Sequence, residues 1–429
     1  MEPATRHRLD NGLRVIVAED RATAAASVGV WTDVGVCDEP DDQRGLAHFL
    51  EHMMFRGSEH IGPEEHAHTI ARLGGECNAA TSPDATMYFD TVPPDAVSEV
   101  IGLEADRFQR LDVTDEHTDI ERKVILEELR SYENQPAVRA MIEIQKQISD
   151  GHAYGLTPLG RKDDLEQTKA EDLTRFFRRC YRPDRAVVVV CGNVDTARVV
   201  DDVRQHFGDW RGPDNGHPPA PDVFRPRTGS LSLRLPMEVP VVVQSFGTGP
   251  LSDLDTPALD LLVALLAAGA SSPIREALVL ERRLCVEAGC VPLLLSQGGM
   301  LVFFGVFLPP GRHADRRTII RELIDGLVSD GPDPKLFAQH VKNFRKQRAF
   351  ENYSPQSRMM GLGKAEALDG DYARFEGELD ELAAVTPQRV AELARRIFAP
   401  ENALELDITP EKSRWWLVPI GLAMKLWPR

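Results

Sequence analysis

The chain has 429 residues, 42% hydrophobic and 27% charged, a composition typical of a globular protein with a large core. Lysine and arginine number 50 against 67 acidic residues, and the net charge of −17 argues against a general nucleic-acid-binding protein. The six cysteines are scattered without a CxxC pair. They indicate a reducing, cytoplasmic environment rather than a disulfide framework.

The first half of the chain predicts strands at both ends with helices between them. Apolar or alternating runs predict strands in GLRVIVAED (12–20) and ASVGVWTDVG (26–35), and a helix begins near Gly45. Strand patterning returns in GGECNAATSPDATMYFDTVP, and helical patterns follow from about 95 to 147. The apolar run VVVVCGNVD predicts a buried strand that closes this half.

A stretch rich in proline and glycine, residues 211–229, predicts a linker between two nearly equal parts, 1–210 and 230–429. The segments EDLTRFFRRCYRPDRAVVVV (171–190) and QRVAELARRIFAPENALELD (388–407) align at a constant offset of 217. Each predicts an amphipathic helix, a proline-containing turn and an apolar strand. The same order near the end of each half favours a duplicated domain.

Neither end of the chain predicts a membrane-spanning segment. The N-terminus lacks a basic stretch followed by an apolar run, so no secretory signal is visible. The segment WWLVPIGLAMKLW near the C-terminus has 13 residues and contains Pro419, whereas a span needs about 20 apolar residues. We expect this segment to dock on the core, and a contact with a membrane surface or a partner is the alternative.

The strongest motif lies in RGLAHFLEHMMFRG, residues 44–57. On a helix, His48 and His52 share one face, where both imidazoles can bind one zinc ion at about 2.0–2.1 Å. Glu51 projects near that face and is better placed to contact a water on the metal than to complete the ligand set. This HxxEH pattern is the inverted form of the HExxH zinc-protease motif, and its apolar surroundings are unlike a solvated helix face.

Hydrolysis requires a third protein ligand and an open fourth position on the zinc. The charge-rich helix ERKVILEELRSYEN offers four candidates: Glu121, Glu127, Glu128 and Glu133. Glu121 and Glu128 face the same way two turns apart, whereas Glu127 points about 100° away from Glu128. Spacing alone does not choose among the four.

These segments together resemble the pitrilysin/insulinase family of zinc peptidases, which includes the mitochondrial processing peptidase and its bacterial relatives. The resemblance rests on GLAHFLEHMMFRGS, LGGECNAATSPDATMYF and IERKVILEELRSYENQP, and it extends loosely over the second half. It implies one zinc ion per chain with His48, His52 and Glu128 as ligands. It also implies Glu51 as the general base and Glu121 as a supporting acid.

The resemblance further implies how a peptide substrate binds. The family uses the strand after the Gly-Gly pair as a sheet edge that adds an extended peptide, so Asn78, Ala79 and Ala80 are candidate substrate-binding residues. The alternative for this stretch is an ordinary strand after a turn. We predict no second metal site at the nearby histidines, His60, His66 and His68, which lie in a polar, turn-like stretch.

The second half contains no HxxEH motif, and the resemblance implies that it closes over the first half to form a chamber. Its helix GASSPIREALVLERRL resembles an arginine-rich family helix, but residues 283–286 lack the glycine and tyrosine that follow in the family. This departure indicates a catalytic chain that works as a homodimer or as a heterodimer with a related non-catalytic subunit.

The sequence thus predicts an α+β protein of two related α/β-sandwich halves, each a mostly antiparallel sheet with helices packed on it. The predicted function is that of a zinc-dependent endopeptidase that hydrolyses short or unfolded peptides. The alternative is a non-catalytic scaffold or assembly subunit of the same fold. Such members typically lose the histidines or the glutamate base, which this chain retains.

Overall fold

The computed structural model describes residues 2–212, 222–237, 239–269, 272–308 and 313–411. Two sheets form within these residues, one in each half of the sequence. Residues 213–221 of the predicted linker and the whole apolar C-terminal segment lie outside the described residues. None of the described helices is both long and apolar enough to cross a membrane.

The first sheet contains six strands: β1 (Thr5–Arg8), β2 (Arg14–Glu19), β3 (Ala26–Thr32), β4 (Glu76–Thr81), β5 (Thr86–Val92) and β6 (Ala186–Gly192). Their order is β1-β2-β6-β3-β5-β4, so β4 lies at an edge. Only the β2–β6 pair is parallel, and the others are antiparallel. Five of these strands confirm predictions, and β1 is an additional short strand of polar sequence.

The central strand β6 is buried on both faces, as its continuous apolar run predicts. Val188 and Val190 belong to the main hydrophobic core of this part of the chain. Val187 and Val189, which alternate with them, belong to a second cluster on the opposite face. The run of valines does not alternate with polar residues because both faces of the sheet are covered by hydrophobic clusters.

Eight helices accompany the first sheet in the sequence: α1 (Leu46–Met53), α2 (Glu65–Arg72), α3 (Val97–Arg110), α4 (Asp115–Glu133), α5 (Pro136–Ser149), α6 (Lys162–Gln167), α7 (Ala170–Cys180) and α8 (Thr196–Phe207). The helix expected near Gly45 begins at Leu46. The long helical region expected from about 95 to 147 consists of α3, α4 and α5.

The second sheet contains five strands: β7 (Gly229–Leu235), β8 (Val241–Gly249), β9 (Cys285–Leu293), β10 (Gly299–Phe307) and β11 (Ala403–Pro410). Their order is β7-β11-β8-β10-β9, and only β7 and β11 are parallel. The helices between these strands are α9 (Thr256–Ala267), α10 (Pro273–Arg275), α11 (His313–Asp330), α12 (Pro334–Glu351), α13 (Pro355–Lys364), α14 (Ala373–Ala384) and α15 (Pro387–Ile397). Short π-helical segments continue α10 and α13.

The structure confirms the predicted duplication. Helix α7 and helix α15 have the same length and begin 217 positions apart, at Ala170 and Pro387. Each is followed by a single 3₁₀ turn that begins at a proline, Pro183 or Pro400. Each turn leads into a strand, β6 or β11, that pairs in parallel on one side and antiparallel on the other. Both halves are therefore α/β sandwiches of one topology.

The chain divides into two compact units, which do not coincide with the boundaries expected from the linker. One unit comprises Met1–Ser131, Leu156–Pro221 and Lys346–Leu379, and the other comprises Tyr132–Gly155, Asp222–Arg345 and Asp380–Arg429. In the first unit, α13 covers the second face of the sheet, where Met359 and Leu362 are fully buried. A Cβ on Gly363 would lie only 2.1 Å from Nε1 of Trp31, so α13 approaches the sheet closely.

In the second unit, the segment after α4 is held by hydrogen bonds. The backbone N–H of Gln297 donates to the hydroxyl of Tyr154 at 2.9 Å, and that of Arg227 donates to the carbonyl of Ile148 at 2.8 Å. Residues 132–155 of the first half therefore belong to the second unit, and residues 346–379 of the second half belong to the first unit. A linker signature alone does not predict this exchange.

Candidate metal centre

Helix α1 carries both histidines of the HxxEH motif, and its apolar residues set its orientation. Its core side consists of the buried residues Leu46, Ala47, Phe49, Leu50 and Met53. His48 and His52 lie one turn apart on the neighbouring stripe, with ring centroids 4.7 Å apart. The two imidazoles therefore face the same region of space.

The N-terminus of α1 is capped by a residue from the preceding loop. The carboxylate of Glu39 accepts hydrogen bonds from the backbone N–H groups of Gly45 and Ala47 at 2.9 and 2.8 Å. Gly45 has φ of 102°, a left-handed conformation that glycine tolerates. Burial raises the pKa of Glu39 to about 8, although the two hydrogen bonds from the backbone lower it. This cap fixes the start of the helix that presents the histidines.

Glu128 on α4 is the glutamate that meets these histidines. Its Oε2 atom lies 3.8 Å from Nε2 of His48 and 3.8 Å from Nε2 of His52. Glu127 instead points to solvent and pairs with Arg130 at 3.2 Å, and Glu133 is exposed. The rotation of α4 thus distinguishes among the four glutamates that spacing left open.

The three converging side chains fit a zinc ion by their chemistry and their spacing. Around a tetrahedral zinc with bonds of about 2.0–2.1 Å, ligand atoms lie roughly 3.4 Å apart, slightly less than the separations of 3.8 Å observed here. At 3.8 Å the imidazole nitrogens do not hydrogen-bond the carboxylate. Two nitrogens and one carboxylate oxygen form a donor set typical of catalytic zinc, which leaves a fourth position open.

The two histidines have different electrostatic environments. Burial, together with the neighbouring His52, lowers the pKa of His48 to about 4, so His48 is neutral at physiological pH. Burial also lowers the pKa of His52, but the hydrogen bond to Glu121 and the nearby carboxylates outweigh it and raise that pKa overall. The Nδ1 atom of His48 is buried without a hydrogen-bond partner among the described residues.

Glu121 lies directly behind His52. When the ring carries its proton on Nδ1, His52 donates to Oε2 of Glu121 at 2.9 Å and leaves Nε2 free for a metal. Arg56 pairs with the other carboxylate oxygen of Glu121. Burial alone raises the pKa of Glu121, but the bonds and charges of His52 and Arg56 lower it overall. Glu121 is therefore a carboxylate that orients His52.

Glu51 faces the same region as the histidines and is held by a residue of the sheet. The hydroxyl of Thr81, the last residue of β4, donates to Oε2 of Glu51 at 2.5 Å. Burial raises the pKa of Glu51, although the Thr81 bond and the charge of His52 lower it. The carboxyl group is thus fixed beside the candidate ligands without being one of them.

The predicted substrate-binding residues lie on the edge strand β4, which packs against α1. Asn78 is exposed, and its side-chain oxygen accepts the backbone N–H of Ala79 at 2.8 Å. Ala79 and Ala80 are half-buried. The strand ends at Thr81, so an edge able to pair with a peptide runs directly to the residue that holds Glu51.

Some contacts in this region were not found by sequence reasoning. Glu39 caps the motif helix from the preceding loop, Thr81 contacts Glu51 from 30 positions away, and Arg56 contacts Glu121 from 65 positions away. No local pattern marks these three residues. His66 is also not in a turn but inside α2, where it is buried beside Asp90 at 3.1 Å and Glu104 at 3.7 Å.

The cluster around His66 could place three ligand atoms around a cation, but one of its two carboxylates already pairs with a buried arginine. Nε of Arg107 donates to Glu104 at 3.0 Å, and a second guanidinium nitrogen bonds the other carboxylate oxygen. The guanidinium also stacks 4.8 Å from the ring centroid of Tyr88. A buried arginine that occupies both oxygens of Glu104 disfavours a metal ion there.

Comparison with known proteins identifies the family of the chain. Two family models match the chain: insulinase (peptidase family M16) over residues 14–157 and peptidase M16 inactive domain over residues 168–344. The first match contains the HxxEH helix and Glu128, and the second covers much of the part that lacks the motif. The chain belongs to peptidase family M16, the insulinase family.

Individual relatives extend over most of the chain. The chain is 26% identical to the uncharacterized zinc protease YmxG of Bacillus subtilis, over 94% of this chain and 97% of that protein. It is 32% identical to the probable mitochondrial-processing peptidase subunit beta of Arabidopsis thaliana, over 48% of this chain and 39% of that protein. A solved protease structure from Helicobacter pylori matches with a TM-score of 0.87 at 22% identity, over 95% of this chain and 99% of that chain. This similarity shows the fold alone.

Proposed function

We propose that this protein is a zinc-dependent metalloendopeptidase that hydrolyses short or unfolded peptides. The observation that carries the proposal is the convergence of His48, His52 and Glu128, each placing one ligand atom within 4.8 Å of the others. Glu51 is held beside them by Thr81. Membership of a peptidase family and relatives named zinc proteases support the same conclusion.

The roles of the residues follow from their contacts. One zinc ion held by His48, His52 and Glu128 would lower the pKa of a water to about 7 and polarise the scissile carbonyl. Glu51 accepts the proton of the attacking water and delivers it to the leaving amine. Because Oε2 of Glu51 is bonded to Thr81, Oε1 is the oxygen that carries this proton.

Substrate binding rests on backbone pairing at β4. An extended peptide would add to this edge strand beside Asn78, Ala79 and Ala80, whose side chains are small or polar. Pairing of this kind reads the main chain and tolerates many side chains. It also requires an unfolded segment, because a folded protein rarely exposes an unpaired strand of the necessary length.

The second half of the chain and a partner subunit also have roles in the proposed function. We propose that residues 1–210 form the catalytic half and that residues 230–429 form the non-catalytic half. A homodimer, or a heterodimer with a related non-catalytic subunit, is supported by similarity to a protein named as a subunit. All six cysteines lie in the described residues as thiols rather than disulfides, which supports a cytoplasmic location.

The test measures cleavage of a quenched-peptide library by the pure chain, with and without a chelator, beside Glu51→Gln. We expect cleavage that the chelator abolishes and that Glu51→Gln reduces by about 100- to 10,000-fold, with zinc still bound at one ion per chain. Glu127→Gln is the matched control. It removes a neighbouring carboxylate that faces solvent and pairs with Arg130, and it should leave cleavage unchanged.

Two other outcomes would change the conclusion. A stable chain that binds no zinc would favour the non-catalytic scaffold over the peptidase. Stoichiometric zinc without cleavage would indicate that the chain needs a partner subunit, and the same library would then be tested with added candidate subunits.

A further inference from the structure

A chain of polar contacts leads from the candidate zinc ligand His52 to the protein surface. Glu121 uses one carboxylate oxygen for Nδ1 of His52 and the other for Arg56. Arg56 reaches onward with Nη1, which lies 2.8 Å from Oε1 of Glu64. The side chain of Glu121 is 3% exposed, that of Arg56 23% and that of Glu64 49%, so the contacts run outward from a buried carboxylate.

Arg56 determines how Glu121 can act. Both Nε and Nη2 of Arg56 bond the same oxygen of Glu121, a contact that restrains rotation of the carboxylate. With Oε1 held in this way, Oε2 is directed at the ring of His52. That bond in turn selects the tautomer of His52 whose free nitrogen, Nε2, faces His48 and Glu128.

Glu64 anchors Arg56 from a backbone conformation that few residues adopt. Its φ is 62°, in the left-handed region, a conformation found at only three non-glycine positions of the described chain. Its backbone N–H donates to the carbonyl of Phe55, the residue before Arg56, at 3.0 Å. Strained backbone persists only where surrounding contacts hold it, and here those contacts are with the segment that carries Arg56.

We propose that Arg56, anchored by Glu64, is a positioning residue that fixes Glu121 and through it the zinc ligand His52. The proposal rests on the zinc site proposed above. It assigns to the Arg56–Glu64 pair a role in metal affinity, which an ordinary surface ion pair does not have. A purely structural pair would change the stability of the zinc-free chain without changing the affinity for zinc.

The test measures the zinc dissociation constant of the full chain by competition with a chromophoric chelator. Arg56→Gln should weaken zinc binding about 10- to 100-fold, the usual effect of losing a group that orients a ligand. Arg56→Lys should fall between Arg56→Gln and wild type, because one ammonium group cannot bond both carboxylates as the planar guanidinium does. Glu64→Gln should weaken binding by roughly 2- to 5-fold, as expected for a half-exposed ion pair.

Arg110→Gln is the matched control. Arg110 also pairs with two carboxylates, Asp106 at 3.1 Å and Glu59 at 3.4 Å, but neither contacts a candidate ligand. The zinc dissociation constant of the Arg110→Gln variant should equal that of wild type. If Arg56→Gln does not fold, Arg56→Lys and Glu64→Gln carry the test, and thermal unfolding of each zinc-free variant records any structural loss.

The double variant Arg56→Gln/Glu64→Gln shows whether Glu64 acts through Arg56. Equality with Arg56→Gln alone would support the proposal, whereas additive losses would overturn it. A wild type that binds zinc, together with an Arg56→Gln variant within twofold of it, would also overturn the proposal and leave the peptidase function standing. A wild type that binds no zinc would instead refute the zinc site itself.

Discussion

The two sheets of this protein share one topology but differ in what their helices carry. The order β2-β6-β3-β5-β4 in the first corresponds to β7-β11-β8-β10-β9 in the second. In both sheets the parallel pair involves the last strand of the half, β6 or β11. The first α-helix between β3 and β4 is α1, and the first α-helix between β8 and β9 is α9. Each packs against the edge strand of its sheet and against the corresponding helix, α7 or α15.

These two helices show where the chemistry resides. Helix α1 reads LAHFLEHM, and its histidines and glutamate interrupt an apolar surface. Helix α9 reads TPALDLLVALLA, and eight of its residues are buried, all of them apolar: Pro257, Ala258, Leu259, Leu261, Leu262, Ala264, Leu265 and Leu266. The same place in the fold accepts either sequence. The fold therefore requires only an apolar stripe here, and the histidines and glutamate of α1 are the residues that the proposed function uses.

Replacing His48 by leucine makes α1 more like α9 and should give the largest effect. Zinc affinity and peptidase activity should fall at least about 1,000-fold, because metal assistance is worth several kcal/mol. The zinc-free variant should be as stable as wild type or more so, since the buried Nδ1 of His48 has no partner among the described residues. Chelator competition and thermal unfolding of the zinc-free chain check both parts. Retained zinc would contradict the proposed ligand set.

Truncating one fully buried leucine in each helix tests whether the two helices contribute equally to the cores. Leu50→Ala in α1 and Leu262→Ala in α9 should each lower the free energy of unfolding by about 2–5 kcal/mol. Only Leu50→Ala should also weaken zinc binding, because it lies between the two histidines. Denaturant unfolding and zinc titration of both variants provide the comparison. Equal losses of zinc affinity would show that the site is not confined to the first sheet.

The N-terminal caps of α1 and α9 also differ. Glu39 caps α1 from the loop, whereas Asp255 caps α9 locally through the N–H of Ala258. Above pH 8, where Glu39 is ionised, Glu39→Gln should cost about 1–3 kcal/mol, because an amide N–H group would then face a buried backbone N–H. Asp255→Asn should cost less, since asparagine is an equally good N-cap and the partly exposed ion pair with Arg389 contributes at most about 1 kcal/mol. Denaturant unfolding of both variants measures the difference, and a larger loss for Asp255→Asn would contradict it.

The buried cluster around His66 has no counterpart among the possible metal-ligand groups in the described part of the second unit. Burial, together with Arg107, lowers the pKa of His66 to about 3. Between that value and the unfolded pKa of about 6.5, the unfolded chain binds one more proton than the folded chain. Stability due to this group is therefore present above pH 6.5 and is lost as the pH falls.

Replacing His66 removes this pH dependence. Wild type should lose about 2 kcal/mol between pH 6.5 and pH 5 through His66, and His66→Gln should not show this part of the loss. Denaturant unfolding at the two pH values measures it. Parallel losses in both proteins would show that His66 titrates normally in the folded chain.

Thr81→Val should have the smallest effect. It removes the hydroxyl that holds Glu51 and should lower kcat by up to about 10-fold, with little change in KM or in zinc affinity. Thr81→Ser keeps the hydroxyl and should retain nearly full activity. Steady-state kinetics of both variants check this, and equal losses would indicate that the methyl group, rather than the hydrogen bond, matters.

The amino-acid pattern by itself determined the elements and the chemistry of one helix. Alternating or continuous apolar runs predicted β2 to β6, and the repeated helix–turn–strand predicted the duplication, because burial imposes its period on neighbouring residues. The HxxEH spacing likewise placed two imidazoles on one helical face. These features depend on residues within about one element of each other, so the sequence contains them directly.

Only the tertiary structure decided the rest. The rotation of α4 against α1 brings Glu128 to the histidines and turns Glu127 to solvent, and spacing along α4 cannot supply that rotation. Thr81 and Arg56 gain their roles from contacts with residues 30 and 65 positions away. Packing of α13 on the first sheet likewise moves a segment of the second half into the first unit. Local periodicity predicts which face of a helix or strand is buried. The residues that this face contacts depend on the packing of the whole chain.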